Sequence, residues 1–304
     1  MKQMANKRAD KATKKQRTNY GANDKNRRGK NFAEKGNPRH KKHADFKANV
    51  KNDNVENEAV TEVNENFVFG HHAVVEALKA GRGNKLFLAE DARGDKIEGL
   101  KTLATEQAVP VKWVPKSKLD TMSDSGVHQG MVLAITPYEY LSLTELLEST
   151  KKENPFYLIL DNLEDPHNFG SILRTADAAG VDGVIIPKHR AVGITPIVVK
   201  TSTGAVEYMP IARVTNLSQA VQQLKEAGFW IFGTAMEGTD YRQWNAKGKI
   251  GLIIGNEGKG MSAGLMKAVD ELLTIPMVGH VQSLNASVAS GLLIYQAFSQ
   301  RAGE

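Results

Sequence analysis

The chain has 304 residues, of which 41% are hydrophobic and 24% charged, enough for one large or two medium-sized domains. It contains no cysteine, which excludes disulfides, thiolate metal sites and cysteine nucleophiles. No apolar run approaches the roughly 18 residues of a membrane span, so we expect a soluble cytoplasmic protein with no membrane contact.

The net charge of +6 comes from the N-terminal segment. Residues 1–51 hold 17 Lys and Arg against 4 Asp and Glu, residues 52–65 hold five acids and no base, and the remainder is nearly neutral. Because residues 1–51 contain no Leu or Ile, we expect residues 1–65 to form a disordered tail. Its interleaved bases and aromatics suit RNA, and a solubilising extension is the alternative.

A small α/β domain is predicted over residues 66–138. Helices alternate with strands in the order α-β-α-β-α-β, and Gly81 is the expected C-cap of the first helix. A polar loop at 123–130 suits a surface contact. The predicted helices span 71–80, 96–107 and 116–122, and the predicted strands span 85–89, 111–114 and 131–136.

Residues 139–155 are predicted to be a linker, and residues 156–304 a second α/β domain. Short, nearly continuous apolar strands separated by amphipathic helices indicate a parallel sheet covered on both faces. The predicted strands span 156–160, 183–186, 209–214, 230–234, 251–254 and 272–276. The predicted helices span 170–179, 196–201, 218–227, 263–269 and 285–299.

The first candidate cluster follows the strand at 156–160. Asn168 is placed to cap a helix that begins near Gly170. Arg174 lies about one turn inside that helix, where its guanidinium could bind a phosphate or a carboxylate. The alternative is a helix cap followed by an ordinary surface arginine.

Two further loops follow later strands, where ligands of open α/β sheets bind. The first contains Gly255 and Glu257, and it has neither the Walker nor the dinucleotide-binding glycine pattern. Glu257 could anchor a hydroxyl or a cation, or it could be a solvated glutamate. The second contains Ser283, which could also cap the last helix, and Asn285. The histidines show no metal-ligand spacing, so no metal is expected.

Taken together, three motifs carry a specific resemblance. They are E-D-P-H-N-F-G-S-I-L-R-T-A-D-A-A-G at 164–180, L-I-I-G-N-E-G-K-G-M at 252–261 and I-P-M-V-G-H-V-Q-S-L-N-A-S-V-A at 275–289. In order and spacing they resemble the motifs of the SpoU-type (TrmH-like) RNA 2′-O-ribose methyltransferases of the SPOUT superfamily. The first domain is similar to the family's ribosomal-protein-L30e-like substrate-binding domain. The combination looks most like the branch that methylates a guanosine of large-subunit ribosomal RNA.

This resemblance implies a parallel sheet with a deep trefoil knot, S-adenosylmethionine as cofactor, and a homodimer with its active site near the interface. Carried over by motif, the cofactor would contact Thr234, Ala235, Gly255, Ile275 and Leu284, mainly through backbone groups. The implied catalytic residues are Asn168, Arg174, Glu257, Ser283 and Asn285.

Three other functions remain open. Transfer RNA is the alternative substrate within the family. A non-catalytic RNA-binding or ribosome-assembly protein would bind RNA without transferring a methyl group. A nucleotide-dependent oxidoreductase is disfavoured because the phosphate-binding glycine pattern is missing.

Overall fold

The computed structural model describes residues 66–256, 258–281 and 283–301. They form one sheet of four strands and one of six. The predicted disordered tail, residues 1–65, lies outside the described residues, as does the candidate catalytic residue Glu257. None of the described helices is long and apolar enough to cross a membrane.

The four-stranded sheet and its helices form the first module. Its strands are β1 (Asn66–Phe69), β2 (Gly83–Ala89), β3 (Val111–Val114) and β4 (Met131–Ile135), and its helices are α1 (His71–Lys79), α2 (Asp95–Glu106) and α3 (Lys116–Met122). The strand order is β1-β4-β2-β3. β4 runs antiparallel to β1 and β2, whereas β2 and β3 are parallel.

The predicted element order of this module was wrong at its start, because β1 precedes α1. The strand forms because it pairs with β4, with Val68 opposite Leu133. The C-cap of α1 is Ala80, and Gly81 follows it with φ of +71°. Gly81 therefore occupies the left-handed position just past the cap, one residue later than predicted.

The second module contains the six-stranded sheet. Its strands are β5 (Phe156–Leu160), β6 (Gly183–Pro187), β7 (Ile211–Val214), β8 (Trp230–Asp240), β9 (Ile250–Ile254) and β10 (Glu271–Thr274). Its helices are α4 (Leu143–Ser149), α5 (Pro166–Ala178), α6 (Pro196–Thr201), α7 (Leu217–Glu226), α8 (Ala263–Met266) and α9 (Ala286–Arg301). The order is β10-β8-β9-β5-β6-β7, and every neighbouring pair is parallel.

Both faces of this sheet are covered, as the apolar strands predicted. Along β5, Tyr157 and Ile159 pack in one core with apolar residues of α4, α7 and α8. Phe156, Leu158 and Leu160 point to the other face and pack with residues of α5, α6 and α9. Successive side chains of a strand alternate between faces, so a sheet buried on both sides needs an unbroken apolar run.

The C-terminal helix lies against the connection between β8 and β9. Gln300 accepts a hydrogen bond from Ala246 N at 3.0 Å and donates to Trp244 O at 2.9 Å. The Arg301 guanidinium donates to Ala246 O at 2.7 Å and to Gly248 O at 2.9 Å. The last helix is thus tied to an earlier connection of the chain.

Buried polar contacts join the two modules. The Arg82 guanidinium donates to both carboxylate oxygens of Glu207 at 2.7 Å, and the Glu207 side chain is only 1% exposed. Burial raises the pKa of Glu207, and Arg82 opposes that shift. The Tyr138 hydroxyl donates to Met209 O at 2.8 Å. The first module is therefore held in a defined orientation on the second.

Candidate active site

The three predicted site loops leave the same edge of the six-stranded sheet. β10, β8, β9 and β5 are neighbours in that order and run parallel, so their carboxyl ends lie side by side. The loops that follow β5, β9 and β10 carry the three motifs. Parallel sheets bind their ligands at this edge. The fold thus brings together segments that are about 100 residues apart in sequence.

Helix α5 begins four residues earlier than predicted. Its N-cap is Asp165, whose carboxylate accepts a hydrogen bond from His167 N at 3.0 Å. Pro166 occupies the first helical position, where its missing N–H leaves no partner unsatisfied. Asn168, the predicted cap, is therefore inside the first turn and only 7% exposed. The Asp-Pro pair is itself a helix-start signal, which the prediction overlooked.

Asn168 and Asn285 meet directly. Asn285 Nδ2 donates to Asn168 Oδ1 at 2.9 Å. The orientation of the Asn285 amide is set by α9, because its Oδ1 accepts hydrogen bonds from Ser287 N at 3.0 Å and Val288 N at 3.3 Å. Asn285 is therefore the side-chain cap of α9, and the alternative that Ser283 caps this helix was wrong. The helix cap aims the amide nitrogen at Asn168.

A buried carboxylate that sequence reasoning missed fixes the loop after β9. Asp161, at the end of β5, is 3% exposed, and its Oδ2 accepts a hydrogen bond from Ser262 N at 2.6 Å. Its Oδ1 accepts from Asn162 Nδ2 at 2.7 Å, and Asn162 O accepts from Asn256 Nδ2 at 2.9 Å. Both ends of the loop that contains Glu257 are thereby tied to the end of β5. In the sequence, the Asp161-Asn162 pair directly after the strand was the signal that could have revealed this anchor.

The predicted cofactor face includes an interruption in the pairing of β8 with β10. Gly233 lies opposite Leu272 and Thr239 lies opposite Leu273, although the two leucines are adjacent in sequence. Residues 234–238 therefore bulge out of the ladder between them. A bulge of this kind takes backbone groups out of the strand pairing and redirects them. Sequence patterning missed it and ended the strand at residue 234.

The five predicted cofactor residues have similar exposure. The Thr234 hydroxyl accepts a hydrogen bond from Gly255 N at 3.3 Å and donates to Ile253 O at 3.2 Å, which ties the bulge to the end of β9. A Cβ added to Gly255 would lie 2.5 Å from Gly260 C, so the closed shape of this loop requires glycine there. All five residues are half-buried: Thr234, Ala235, Gly255, Ile275 and Leu284.

Arg174 lies apart from the Asn168–Asn285 pair. It is exposed, and no hydrogen bond or ion pair links it to another described residue. Six residues separate it from Asn168, which places it about 9 Å along α5 and on another side of the helix. Ser283 is exposed on the loop after β10. The structure brings two of the predicted catalytic residues, Asn168 and Asn285, into contact with each other.

Comparison with known proteins identifies the family. The model of the SpoU rRNA methylase family matches residues 155–295, and the model described as RNA 2′-O ribose methyltransferase substrate binding matches residues 67–141. A protein of Bacillus subtilis named as a TrmH-family tRNA/rRNA methyltransferase is 47% identical over 239 residues, which cover 77% of this chain and 96% of that protein. This chain belongs to the SpoU family of RNA methyltransferases.

Solved structures of the SpoU family share the fold. The rRNA methyltransferase of Sinorhizobium meliloti with AdoMet bound matches with a TM-score of 0.67 and 26% identity, over 78% of this chain and 88% of that one. AviRb of Streptomyces viridochromogenes, in complex with AdoMet, matches with a TM-score of 0.64 and 25% identity, over 78% and 91% of the two chains. The predicted α/β fold class and family are confirmed.

S-adenosylmethionine is the cofactor of this SpoU-family chain, as predicted. The strand ends fit such a molecule, because a bulge and a glycine loop lie on neighbouring strands and offer backbone groups between half-buried apolar side chains. Glycine positions let a ligand approach the backbone closely. The bound cofactor supplies a methyl group activated by its positive sulfur.

Proposed function

We propose that this chain transfers the methyl group of S-adenosylmethionine to the 2′-hydroxyl of a guanosine ribose in large-subunit ribosomal RNA. The observation that carries the proposal is the 2.9 Å hydrogen bond between Asn285 and Asn168. It places two amide side chains at the sheet edge that includes Thr234 and Gly255. Amides donate and accept hydrogen bonds without carrying charge, which suits the positioning of a neutral hydroxyl.

The transfer forms a bond between the 2′ oxygen and the methyl carbon, breaks the bond between that carbon and sulfur, and releases the hydroxyl proton. Asn168, Asn285 and Ser283 orient the ribose so that the reacting atoms stand about 3–3.5 Å apart. Arg174 binds the adjacent phosphate, whose oxygen accepts a hydrogen bond from the 2′-hydroxyl. The guanidinium itself stays charged, so the proton leaves to water as the bond between oxygen and the methyl carbon forms. Glu257 orients the guanidinium.

The homodimer belongs to the same proposal, and an apolar stripe on α9 supports it. Val288, Leu292, Tyr295 and Phe298 recur at helical spacing and are 52%, 39%, 48% and 45% exposed. The Tyr295 and Phe298 rings lie edge to face, with centroids 5.8 Å apart. Four large apolar side chains on one helix face suit a self-complementary interface between two copies.

A dimer through this stripe also gives Arg174 a place in the mechanism. A Cβ added to Gly291 of α9 would lie 4.0 Å from Thr175 Cγ2, so the exposed side of α5 borders the stripe. Arg174 is the residue before Thr175. A second copy packed on α9 would lie beside α5, and we expect its residues to complete the active site with Arg174.

Ribosomal RNA is favoured over transfer RNA as the substrate. The first module matches the family's substrate-binding model, and a solved structure that covers 78% of this chain is named as an rRNA methyltransferase. Transfer RNA is the second candidate, because the Bacillus subtilis relative is named for both substrates. Either reaction would take place in the cytoplasm.

The test offers labelled S-adenosylmethionine to purified protein with naked large-subunit ribosomal RNA or with unmodified transfer RNA. Products are then digested in alkali, because a 2′-O-methyl group protects the adjoining bond. An alkali-resistant labelled dinucleotide that contains guanosine, from ribosomal RNA alone, is the expected result. Label in transfer RNA alone overturns the substrate, and cofactor binding without transfer to either RNA overturns the enzyme assignment for naked RNA.

The role of Arg174 is tested separately. We expect Arg174→Ala to abolish transfer while cofactor binding stays nearly unchanged, because the side chain acts on the RNA. Lys249→Ala is the matched control, since Lys249 is an exposed cation that precedes β9 at the opposite edge of the sheet. Near-normal turnover of Arg174→Ala would remove this residue from the mechanism.

A further inference from the structure

A cleft lies in the four-stranded module. Its volume is about 600 Å³, and it is bounded by the starts of α1, α2 and α3 and by the loop at 123–130. Ala89, Ile97 and Met131 are buried apolar residues that line it. Five side chains with basic nitrogen also line it: His71, Arg93, Lys96, Lys116 and His128. An apolar floor with a basic rim can accept a planar group that carries a phosphate.

The acidic groups of the cleft do not neutralise the positive charge of this rim. Asp120 is held by the buried His128, whose Nε2 lies 3.0 Å from Asp120 Oδ1. His128 Nδ1 accepts a hydrogen bond from Gly130 N at 3.1 Å, so the ring proton is on Nε2 and is donated to Asp120. Asp91 is the other lining carboxylate. Arg93, Lys96 and Lys116 therefore face one exposed carboxylate and one already engaged.

The loop that forms one wall of the cleft has a fixed shape. Asp124, Ser125 and Gln129 have φ of +50°, +59° and +55°, which is unfavourable for residues with a side chain. Ser123 Oγ, from a buried residue, donates to Gly126 O at 3.2 Å. Backbone strain of this kind persists where surrounding contacts hold it, and it is concentrated at binding sites.

An exposed tryptophan extends the cleft on the Arg93 side. Trp113 is 40% exposed, and the Arg93 guanidinium carbon lies 5.8 Å from its ring centroid. Lys101 Nζ lies 6.0 Å from the same centroid. Arg93 lines the cleft and also a neighbouring hollow that contains Trp113 and Lys101. The basic rim and the aromatic ring thus form one continuous surface.

We propose that this cleft and Trp113 together bind an unpaired segment of RNA. One base enters the cleft, the next stacks on Trp113, and Arg93, Lys96 and Lys116 neutralise the phosphates. Only an unpaired strand can do this, because the faces of paired bases are covered by their neighbours in the stack. The inference rests on the proposed function in one respect, namely that the bound RNA is the methylation substrate.

The cleft is mechanically connected to the second module. Lys200 of α6 donates to Val127 O in the cleft loop at 3.3 Å, and its ammonium lies 4.6 Å from the Phe69 ring centroid. α6 in turn packs closely on α5, since a Cβ at Gly170 would lie 2.6 Å from Thr201 Cβ. RNA bound in the cleft therefore lies at a fixed distance from α5, the helix that carries Asn168.

Fluorescence anisotropy of the full chain tests the proposal, with a short unstructured RNA oligonucleotide and the duplex of the same sequence as probes. We expect the double variant Lys96→Glu and Lys116→Glu to weaken binding of the single strand by about tenfold. Trp113→Ala should weaken it by about fivefold or more through lost stacking. The control, Lys85→Glu with Lys112→Glu, changes two exposed lysines of the same module that lie outside the cleft lining.

Equal losses for the cleft and control variants would overturn the proposal, because bulk charge would then explain binding. Duplex binding as tight as single-strand binding would overturn it as well. Since binding is measured without methyl transfer, a failure here is separate from a failure of the proposed reaction. Where the unaltered chain methylates RNA, Trp113→Ala should raise the KM for RNA and leave kcat and cofactor affinity unchanged.

Discussion

Most helices of the second module start with a side-chain cap, and the helices of the first module do not. In the six-stranded module the helices α4 to α7 each have a side-chain cap, from Ser142, Asp165, Thr195 and Asn216 respectively. In the four-stranded module α1, α2 and α3 start from Gly70, Gly94 and Pro115 without such a cap. Gly70 and Gly94 have φ of +89° and +105°, where residues with side chains are disfavoured, so this backbone leaves no capping side chain available.

This difference matches what each module must do. Methyl transfer needs atoms placed to within a fraction of an ångström, and the second module fixes its loops with buried side chains such as Asp161. An RNA strand is bound through phosphates and base faces, which tolerate small adjustments. The first module accordingly presents exposed cations around a cleft. Loss of a buried contact of the second module should therefore destabilise the protein more than loss of a surface contact.

The largest effect is expected for Asp161→Ala. Two hydrogen bonds to a buried carboxylate disappear, which leaves Ser262 N and Asn162 Nδ2 without their partner. We expect a loss of about 4 kcal/mol in the free energy of unfolding, because each bond to a charged group contributes about 1.5–3 kcal/mol. Urea denaturation measures this. The loop at 255–262 should also shift, which lowers kcat.

Asp161→Asn is the matched variant, since it keeps one oxygen and a similar volume. It should lose less stability than Asp161→Ala and recover part of kcat. A fall in kcat with unchanged cofactor affinity indicates a positioning role for the loop. If both variants lost stability while kcat per folded molecule stayed normal, Asp161 would serve the fold alone.

The next effect concerns the contact between the modules. Arg82→Ala leaves the Glu207 carboxylate buried without its partner, and we expect a loss of about 3 kcal/mol. Burial already raises the pKa of Glu207, and loss of Arg82 should raise it further. The folded state of the variant then binds a proton more tightly than the unfolded chain, so the loss should shrink as pH falls toward about 4.5. Urea denaturation at several pH values measures both.

Lys101→Ala is the control for Arg82, because its ion pair with Glu98 is on the surface of α2. Its loss should be below about 1 kcal/mol. Equal losses for Arg82→Ala and Lys101→Ala would mean that the intermodule ion pair contributes no more than a surface pair.

The strands were predictable because parallel strands buried on both faces are short apolar runs. Phe156–Leu160 and Val111–Val114 have the predicted bounds. Features that depend on pairing were not predictable from local pattern. β1 is a strand because β4 lies beside it, and the bulge at 234–238 exists because β10 pairs on both sides of it.

In the candidate site, too, the sequence predicted the residues but not the contacts that depend on the fold. The motif resemblance identified Asn168 and Asn285, but it could not show that α9 orients Asn285 toward Asn168. The cleft of the first module escaped prediction for a further reason. Its basic residues come from positions 71, 93, 96, 116 and 128, and only the folded sheet brings them around one space. No local spacing records that arrangement.

A smaller effect is expected for the helix caps. Asp165→Ala removes the side-chain cap of α5 and should cost about 1 kcal/mol. Asp95→Ala is the control, because Asp95 is the first residue of α2 and does not cap it. It should cost only about 0.3 kcal/mol, through its interaction with the helix dipole. Thermal denaturation of both variants measures the difference, and equal values would contradict the contrast between the modules.

The smallest effect concerns His71 in the cleft. Burial, with added repulsion from His72 and Lys96, lowers the pKa of His71 below its ordinary 6.5, so this ring is neutral near pH 7. A phosphate bound beside it would favour the charged ring, and RNA binding should therefore take up a proton. Between about pH 7.5 and about pH 5.5, the affinity of the unaltered protein for the single strand should rise. This rise should be about threefold larger than the rise in His71→Gln. The comparison with that variant is needed because the chain has 8 histidines. Parallel pH profiles for the two proteins would show that no phosphate lies beside this ring, and the RNA would then have to occupy the Lys116 side of the cleft.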